Sequence, residues 1–149
     1  MAVNLYGYFD VYGFWQIDCK MQFNGETHPR PDTINLMIDS GAQTSVLSPD
    51  IAEKLGKGYD TLPTCDGSIT GVGTSKYRVL AGASFIFHCP AENREMEETP
   101  PELRVPDPKS WQRHYSLLGQ DILKRYRVIG DYGRRKVMLK LNKPISHPL

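Results

Sequence analysis

From Phe14 onward hydrophobic and polar residues alternate. Trp15, Ile17, Cys19, Met21 and Phe23 fall on one face and Gln16, Asp18, Lys20 and Gln22 on the other, the period of two that marks a half-buried strand. Asn24-Gly25 predicts a hairpin turn, because both residue types tolerate positive φ. Pro29 and Pro31 would break a central ladder, which places them in a loop or at an edge. A second strand begins near Thr33, where Ile34, Leu36 and Ile38 alternate with Asn35 and Met37. Ser48-Pro49-Asp50 predicts the start of a short helix: a hydroxyl cap, a proline in the first turn and an acid near the positive end of the dipole. Ile51, Ala52 and Leu55 would face the core, and Gly56 would end the helix.

Beyond the helix, residues 59–65 read as a strand. A glycine-punctuated hairpin, Gly67-Ser68-Ile69-Thr70-Gly71-Val72-Gly73-Thr74, runs on to about Val79, and another strand covers Ala83 to Phe87. The stretch 90–110 has five prolines, five glutamates and no sustained period. It reads as an exposed insertion, either a solvated loop or a lid or partner contact. Trp111 to Leu118 returns to strand, Gln120 to Arg125 gives one or two helical turns, and strands at 126–130 and 136–141 follow. In the last of these, Val137, Leu139 and Leu141 alternate with Lys136, Met138 and Lys140, and the lysines suggest an edge or a solvent face. Residues 1–13 mix aromatic with polar and glycine positions and are expected to be loosely held or to touch a second copy of the chain. The tail 142–149, with two prolines, is free or dimer-bound.

At 149 residues the chain is long enough for one domain, 1–149, with a core at about 14–141 and a sizeable buried interior. Eighteen basic and seventeen acidic side chains leave a net charge of +1, so no global field recruits nucleic acid or a membrane. The basic residues from Lys124 to Lys143 alternate with apolar strand positions and have no aromatic stacking platform, as a solvated sheet face would. No segment approaches the length of a membrane span and the start has no basic, apolar leader pattern, so a cytoplasmic protein without membrane contact is expected. Cys19, Cys65 and Cys89 are odd in number and far apart, which predicts small core residues rather than disulfides or a zinc site. The four histidines lack metal-ligand spacing, and no metal or cofactor is expected.

The candidate chemistry lies at Leu36-Met37-Ile38-Asp39-Ser40-Gly41-Ala42. An acid where an apolar run meets a glycine turn is costly to desolvate unless its charge is shared or hydrogen-bonded, so Asp39 is a candidate for catalysis. Downstream, Ser116-Leu117-Leu118-Gly119-Gln120-Asp121-Ile122-Leu123 repeats the theme of an apolar pair ending in glycine and entering a helix, and the glycine hairpin lies between the two. Asp131-Tyr132-Gly133 lacks the hydroxyl residue and reads as a turn, so the chain offers one such aspartate.

These three features, in this order, resemble the retropepsins, the single-lobe aspartic proteases of retroviruses, retrotransposons and their cellular relatives. The run TSVLSPDIAEKLG is similar to retrotransposon-type and prokaryotic members in particular. The resemblance implies an all-β fold, a closed barrel or sandwich with one or two short helices and the active site at a homodimer interface. It implies an aspartic endopeptidase in which Asp39 of each subunit meets across a two-fold axis and activates a water, the two carboxyls sharing one proton. Ser40 would hydrogen-bond across that axis and the backbone around Gly41 would offer acceptors to an extended peptide substrate. Leu117-Leu118-Gly119 would buttress the Asp39 loop, and Gly71-Val72-Gly73 would form the tip of a flap over the substrate beside Ala42. Where pepsins carry a hydroxyl residue, Ala42 has only a methyl group, which points to activity at mildly rather than strongly acidic pH. Gln43 and Gln120 stand where viral members commonly carry an acid and an arginine, which replaces an ion pair with at best an amide hydrogen bond. Asp121 would cap the helix or form part of the interface. The competing function on the same fold is a catalytically silent dimerisation or peptide-binding module.

Overall fold

The computed structural model describes residues 3–24, 26–27, 33–64, 68–71, 73–110 and 115–142. Within them the chain forms twelve strands and two short helices. The first four strands are β1 (Asn4–Phe9), β2 (Trp15–Phe23), β3 (Glu26–Thr27) and β4 (Ile34–Ile38), followed by helix α1 (Pro49–Lys54). Then come β5 (Ser68–Gly71), β6 (Gly73–Leu80), β7 (Ala83–Cys89), β8 (Arg94–Glu98) and β9 (Leu103–Pro106). The series ends with β10 (Ser116–Leu118), α2 (Gln120–Leu123), β11 (Tyr126–Asp131) and β12 (Lys136–Leu141).

The expected all-β class holds, but the sheet does not close into a barrel. Among the described residues the main path runs β10-β4-β2-β1-β12-β11 and stays open at both ends, while β5, β6 and β9 form a separate three-stranded sheet. The long strand β2 joins two layers. Its first half pairs with β4, from Gln16 opposite Met37 to Cys19 opposite Ile34, and its second half pairs with β7, from Lys20 opposite Ile86 to Phe23 opposite Ala83. The period of two explains why: Ile17, Cys19, Met21 and Phe23 all enter the main core, where they meet Leu36, Phe85 and Leu118. Gln16 departs from the pattern, being 2% exposed on the other face and donating through Nε2 to Asp10 Oδ2 at 3.1 Å.

Helix α1 begins as the sequence implies. The Ser48 side chain accepts from the Ile51 amide, Pro49 and Asp50 occupy the first turn, and Gly56 follows the helix with φ of +73°. Cys19 and Cys89 are buried and form no disulfide among the described residues, while Cys65 lies outside them. So do Pro29, Pro31, Gly25, residues 111–114 of the predicted strand, and the tail from 143. Asn24, the first turn residue, has φ of +51°.

Four expectations are corrected. The opening segment is not loosely held: β1 lies between β2 and β12, and Leu5 is 1% exposed. Its alternation was masked because Tyr6 and Tyr8 fill the outward positions while Leu5, Gly7 and Phe9 point inward. In the predicted strand 59–65, the described residues 59–64 do not form a strand. Tyr59–Thr61 is a single 3₁₀ turn, closed by Thr61 N and Oγ1 on the Gly58 carbonyl and held by Arg78 Nη1 on the carbonyls of Tyr59 and Leu62. The stretch 90–110 is not an unstructured loop, since it supplies β8 and β9. β8 is almost wholly charged and is held by pairing with β7 rather than by an apolar stripe, whereas β9 buries Leu103 and Val105 on either side of Arg104. The lysines of β12 mark a solvent face only, because β12 pairs on both sides, with β1 and β11.

Among the described residues no helix is long and apolar enough to cross a membrane, and no group of three or more His, Cys, Asp or Glu side chains could hold a metal ion.

Candidate active site

Strand β4 delivers Asp39 at its carboxyl end, directly after Ile38. The strand beside it is β10, and this is a parallel pairing, with Leu117 opposite Met37 and Leu118 opposite Ile38. The ladder continues one residue further, because Asp39 N donates to the Leu118 carbonyl at 3.0 Å. The chain then turns sharply. Gly41 N donates to Asp39 Oδ1 at 2.9 Å and Ala42 N to the Asp39 carbonyl at 3.2 Å, which locks the carboxyl against its own loop. Asp39 and Ala42 are half-buried, while Ser40 and Gly41 face solvent. The loop therefore holds an acid rigidly by backbone bonds at an open surface.

The second motif braces that loop. A Cβ on Gly119 would lie 2.6 Å from the Thr44 carbonyl, so only glycine lets α2 approach this closely. Gln120 N donates to the Ala42 carbonyl at 2.7 Å and Asp121 N to the Gln43 carbonyl at 3.1 Å. The Gln120 side chain reaches across to the Ser40 carbonyl at 2.8 Å, an amide brace onto the backbone of the active loop rather than onto Gln43. Asp121 does not cap α2, whose cap position is Gly119, but lies in its first turn with Oδ1 accepting from Ile122 N at 3.0 Å. The same carboxylate accepts from Ser45 N at 2.9 Å and Ser45 Oγ at 2.7 Å, and Ser45 Oγ in turn accepts from Gly119 N at 3.0 Å. Ser45 is fully buried and had no signal in the sequence, since its partner lies 76 residues away. Between Asp121 and Asp39 the chain is thus fixed by a hydrogen-bonded unit that includes one partly buried pair of a hydroxyl and a carboxylate.

Val46 extends this unit. It exchanges two backbone hydrogen bonds with Leu117, at 2.9 and 2.7 Å, and forms a bridge to Arg104 of β9, so that it ties the two sheets together. Val46, Leu117 and Tyr77 are the buried members of a second apolar cluster, packed against Met37, Ala42, Val79 and Tyr115. Tyr77 and Val79 belong to β6, so the root of the glycine hairpin sits beside Ala42. At the far end of that hairpin Gly71 pairs with Gly73, and Val72 between them lies outside the described residues. Asp39, Ser40, Gly41 and Ala42 are therefore brought together with the second motif, and the hairpin joins them through its base.

A half-exposed carboxylate on a rigid turn can take or give a proton to a bound water, provided a second acid shares the proton. Such a site on one chain has one half of that pair.

Residues 19–88 match a family model described as aspartyl protease. No match was found among curated protein sequences. Among solved structures, the chain is similar to a retropepsin-like aspartic protease from Rickettsia conorii, with a TM-score of 0.60 and 19% identity over 95% of this chain and 92% of that one. EIAV protease aligns with a TM-score of 0.43 and 19% identity over 77% of this chain and 89% of that chain. The retroviral protease-like domain of Ddi1 from Leishmania major aligns with a TM-score of 0.44 and 18% identity over 78% and 81%. The retropepsin-like resemblance read from the motifs is borne out, by the match over residues 19–88 and by a fold shared with the Rickettsia enzyme.

Proposed function

We propose that this chain, retropepsin-like in fold and matched to the aspartyl protease family over residues 19–88, is an aspartic endopeptidase that works as a symmetric homodimer. The observation that carries this reading is the Asp39 loop itself: a carboxylate held by Gly41 N, at the end of a strand whose parallel neighbour runs directly into Gly119. Two such loops facing each other across a two-fold axis would place two carboxyls on one water, the ionised one activating it while the protonated one polarises the scissile carbonyl. Ser40 and Gly41, exposed on the loop, are positioned to meet the second subunit and an extended peptide. The hairpin of β5 and β6, with Gly71, Val72 and Gly73 at its end, serves as the flap, and its main chain pairs with the peptide as an added strand. Ala42 offers a methyl group and no hydroxyl to the dyad, so activity peaks at mildly acidic pH.

The test is cleavage of a mixed peptide library, scanned from strongly acidic to neutral pH, with and without pepstatin. Asp39→Asn is expected to lower kcat by at least about a thousandfold, because the remaining dyad cannot both activate water and donate a proton. Wild-type protein that binds peptides but cleaves none at any pH would assign the chain instead to a silent peptide-binding module. Gln120 favours neither reading, since its amide braces the Ser40 carbonyl without charge.

A further inference from the structure

Over its first three residues β9 alternates. Leu103 and Val105 enter the main core, so Arg104 between them emerges on the opposite face, among Tyr77, Val79 and Val46. This is the apolar cluster that also contains Ala42 and Leu117. Arg104 is tied to the catalytic segment through its backbone as well, because Arg104 N donates to the Ser45 carbonyl and Leu47 N donates to the Arg104 carbonyl. A leucine would pack against Val46 and Val79 with no charge to desolvate, so a guanidinium here needs a reason.

The two groups that satisfy it differ in permanence. The guanidinium lies over the Tyr77 ring at 4.3 Å, and Tyr77 is buried, so the stack is fixed by the core. Its carboxylate partner is Glu102, two residues back in the bend that precedes β9, with Nη2 at 3.0 Å and Nε at 3.4 Å. The Glu102 side chain is 40% exposed against 22% for Arg104. A pair half in water contributes little, and its exposed partner can be released cheaply. Arg104 is thus an anchored cation with a displaceable lid of opposite charge, beside an apolar cluster whose partly buried members include Val79 and Ala42, the latter in the Asp39 loop.

We propose that Arg104 selects substrates carrying an acidic side chain: an extended peptide places a glutamate carboxylate on the Arg104 guanidinium, displacing Glu102, while a neighbouring apolar side chain packs on the partly buried Ala42 and Val79. Arginine suits the task because its planar fork holds a carboxylate through two parallel N–H bonds. This inference rests on the peptide-processing reading above.

The experiment uses full-length chains and extended peptides with an apolar anchor, in which Glu, Gln and Lys are scanned through the flanking positions. Binding to Asp39→Asn is read by fluorescence anisotropy and cleavage by the wild type in parallel. One position is expected to favour Glu over Gln by about tenfold, the value of one charge-assisted hydrogen bond. Arg104→Met in the same background removes that preference, Arg104→Glu turns it toward Lys, and Glu102→Gln strengthens it by freeing the guanidinium. Glu102→Gln changes a half-exposed side chain, so it reports even where an Arg104 variant fails to fold. Equal binding of Glu and Gln peptides at every position, or a Glu preference unchanged in Arg104→Met, would overturn the proposal. Glu-selective binding without any cleavage would sink the protease reading and leave the selectivity standing, whereas cleavage without discrimination would do the reverse. A chain that neither binds nor cleaves any of the peptides would overturn both.

Discussion

Glu98 keeps 2% of its side chain in contact with water, yet it belongs to a strand that reads Arg-Glu-Met-Glu-Glu. Its carboxylate accepts from Arg125 Nη1 and, at 2.7 Å, from the Tyr126 hydroxyl, so one buried acid ties β8 to the junction of α2 and β11. Removing it strands a buried phenol and unpairs Arg125, which is 49% exposed and therefore partly rescued by water. Glu98→Ala is expected to lower stability by about 2 kcal/mol, read from denaturant unfolding. Tyr126 adds a pH signature. Burial first, and then the hydrogen bond and charge of Glu98, push the phenol far above the usual tyrosine value, with Arg125 opposing. Because the folded state holds that proton more tightly than the unfolded one, the contribution is complete below about pH 10 and is lost as pH rises beyond it. Tyr126→Phe should flatten this alkaline decline while costing about 1 kcal/mol at neutral pH for the lost hydrogen bond.

The hairpin between β1 and β2 turns on Asp10. Its Oδ1 accepts from Tyr12 N at 2.8 Å and Phe14 N at 3.0 Å, and Oδ2 accepts from Gln16 Nε2 at 3.1 Å. Desolvation works against the charge, but the backbone donors of Phe14 and Tyr12 and the Gln16 amide outweigh it, and the carboxyl lies below the ordinary aspartate value. The stabilisation from these bonds is present above about pH 4 and is lost as pH falls through the lowered folded value. Asp10→Ala should therefore remove part of the acid limb of the stability profile and speed hydrogen exchange of the Tyr12 and Phe14 amides. Elements like this hairpin also mark where the sequence was legible. β2, α1 and the last two strands carried their own periods or caps, and the Asp39 loop announced itself by an acid between an apolar run and a glycine. β1 was obscured by outward tyrosines, β8 by a composition that only its partners neutralise, and β9 by the prolines on both sides of it. In the site, the Ser45–Asp121 contact and the stack of Arg104 on Tyr77 were invisible because each joins segments far apart along the chain.

At the scale of the whole molecule, one chain supplies one Asp39, and the proposed activity belongs to a pair of chains. At a fixed total chain concentration, and relative to wild type alone at that concentration, an equal mixture of wild type and Asp39→Asn should show, after subunits exchange, about a quarter of the activity, since only the pairs with two intact aspartates work. Retention of about half would mean that each chain acts alone. The order of the sheet has a further consequence, for the moment at which the molecule comes into being. Asp39 hangs from the Leu118 carbonyl, and β1 is completed by β12, with Arg135 donating to the Asp10 carbonyl 125 residues away. A chain emerging from the ribosome exposes Asp39 early but cannot seat it until β10 has followed, and cannot finish the sheet until β12 is free. Under the proposed function, a nascent chain therefore has no assembled site to turn on its neighbours before the final strands arrive.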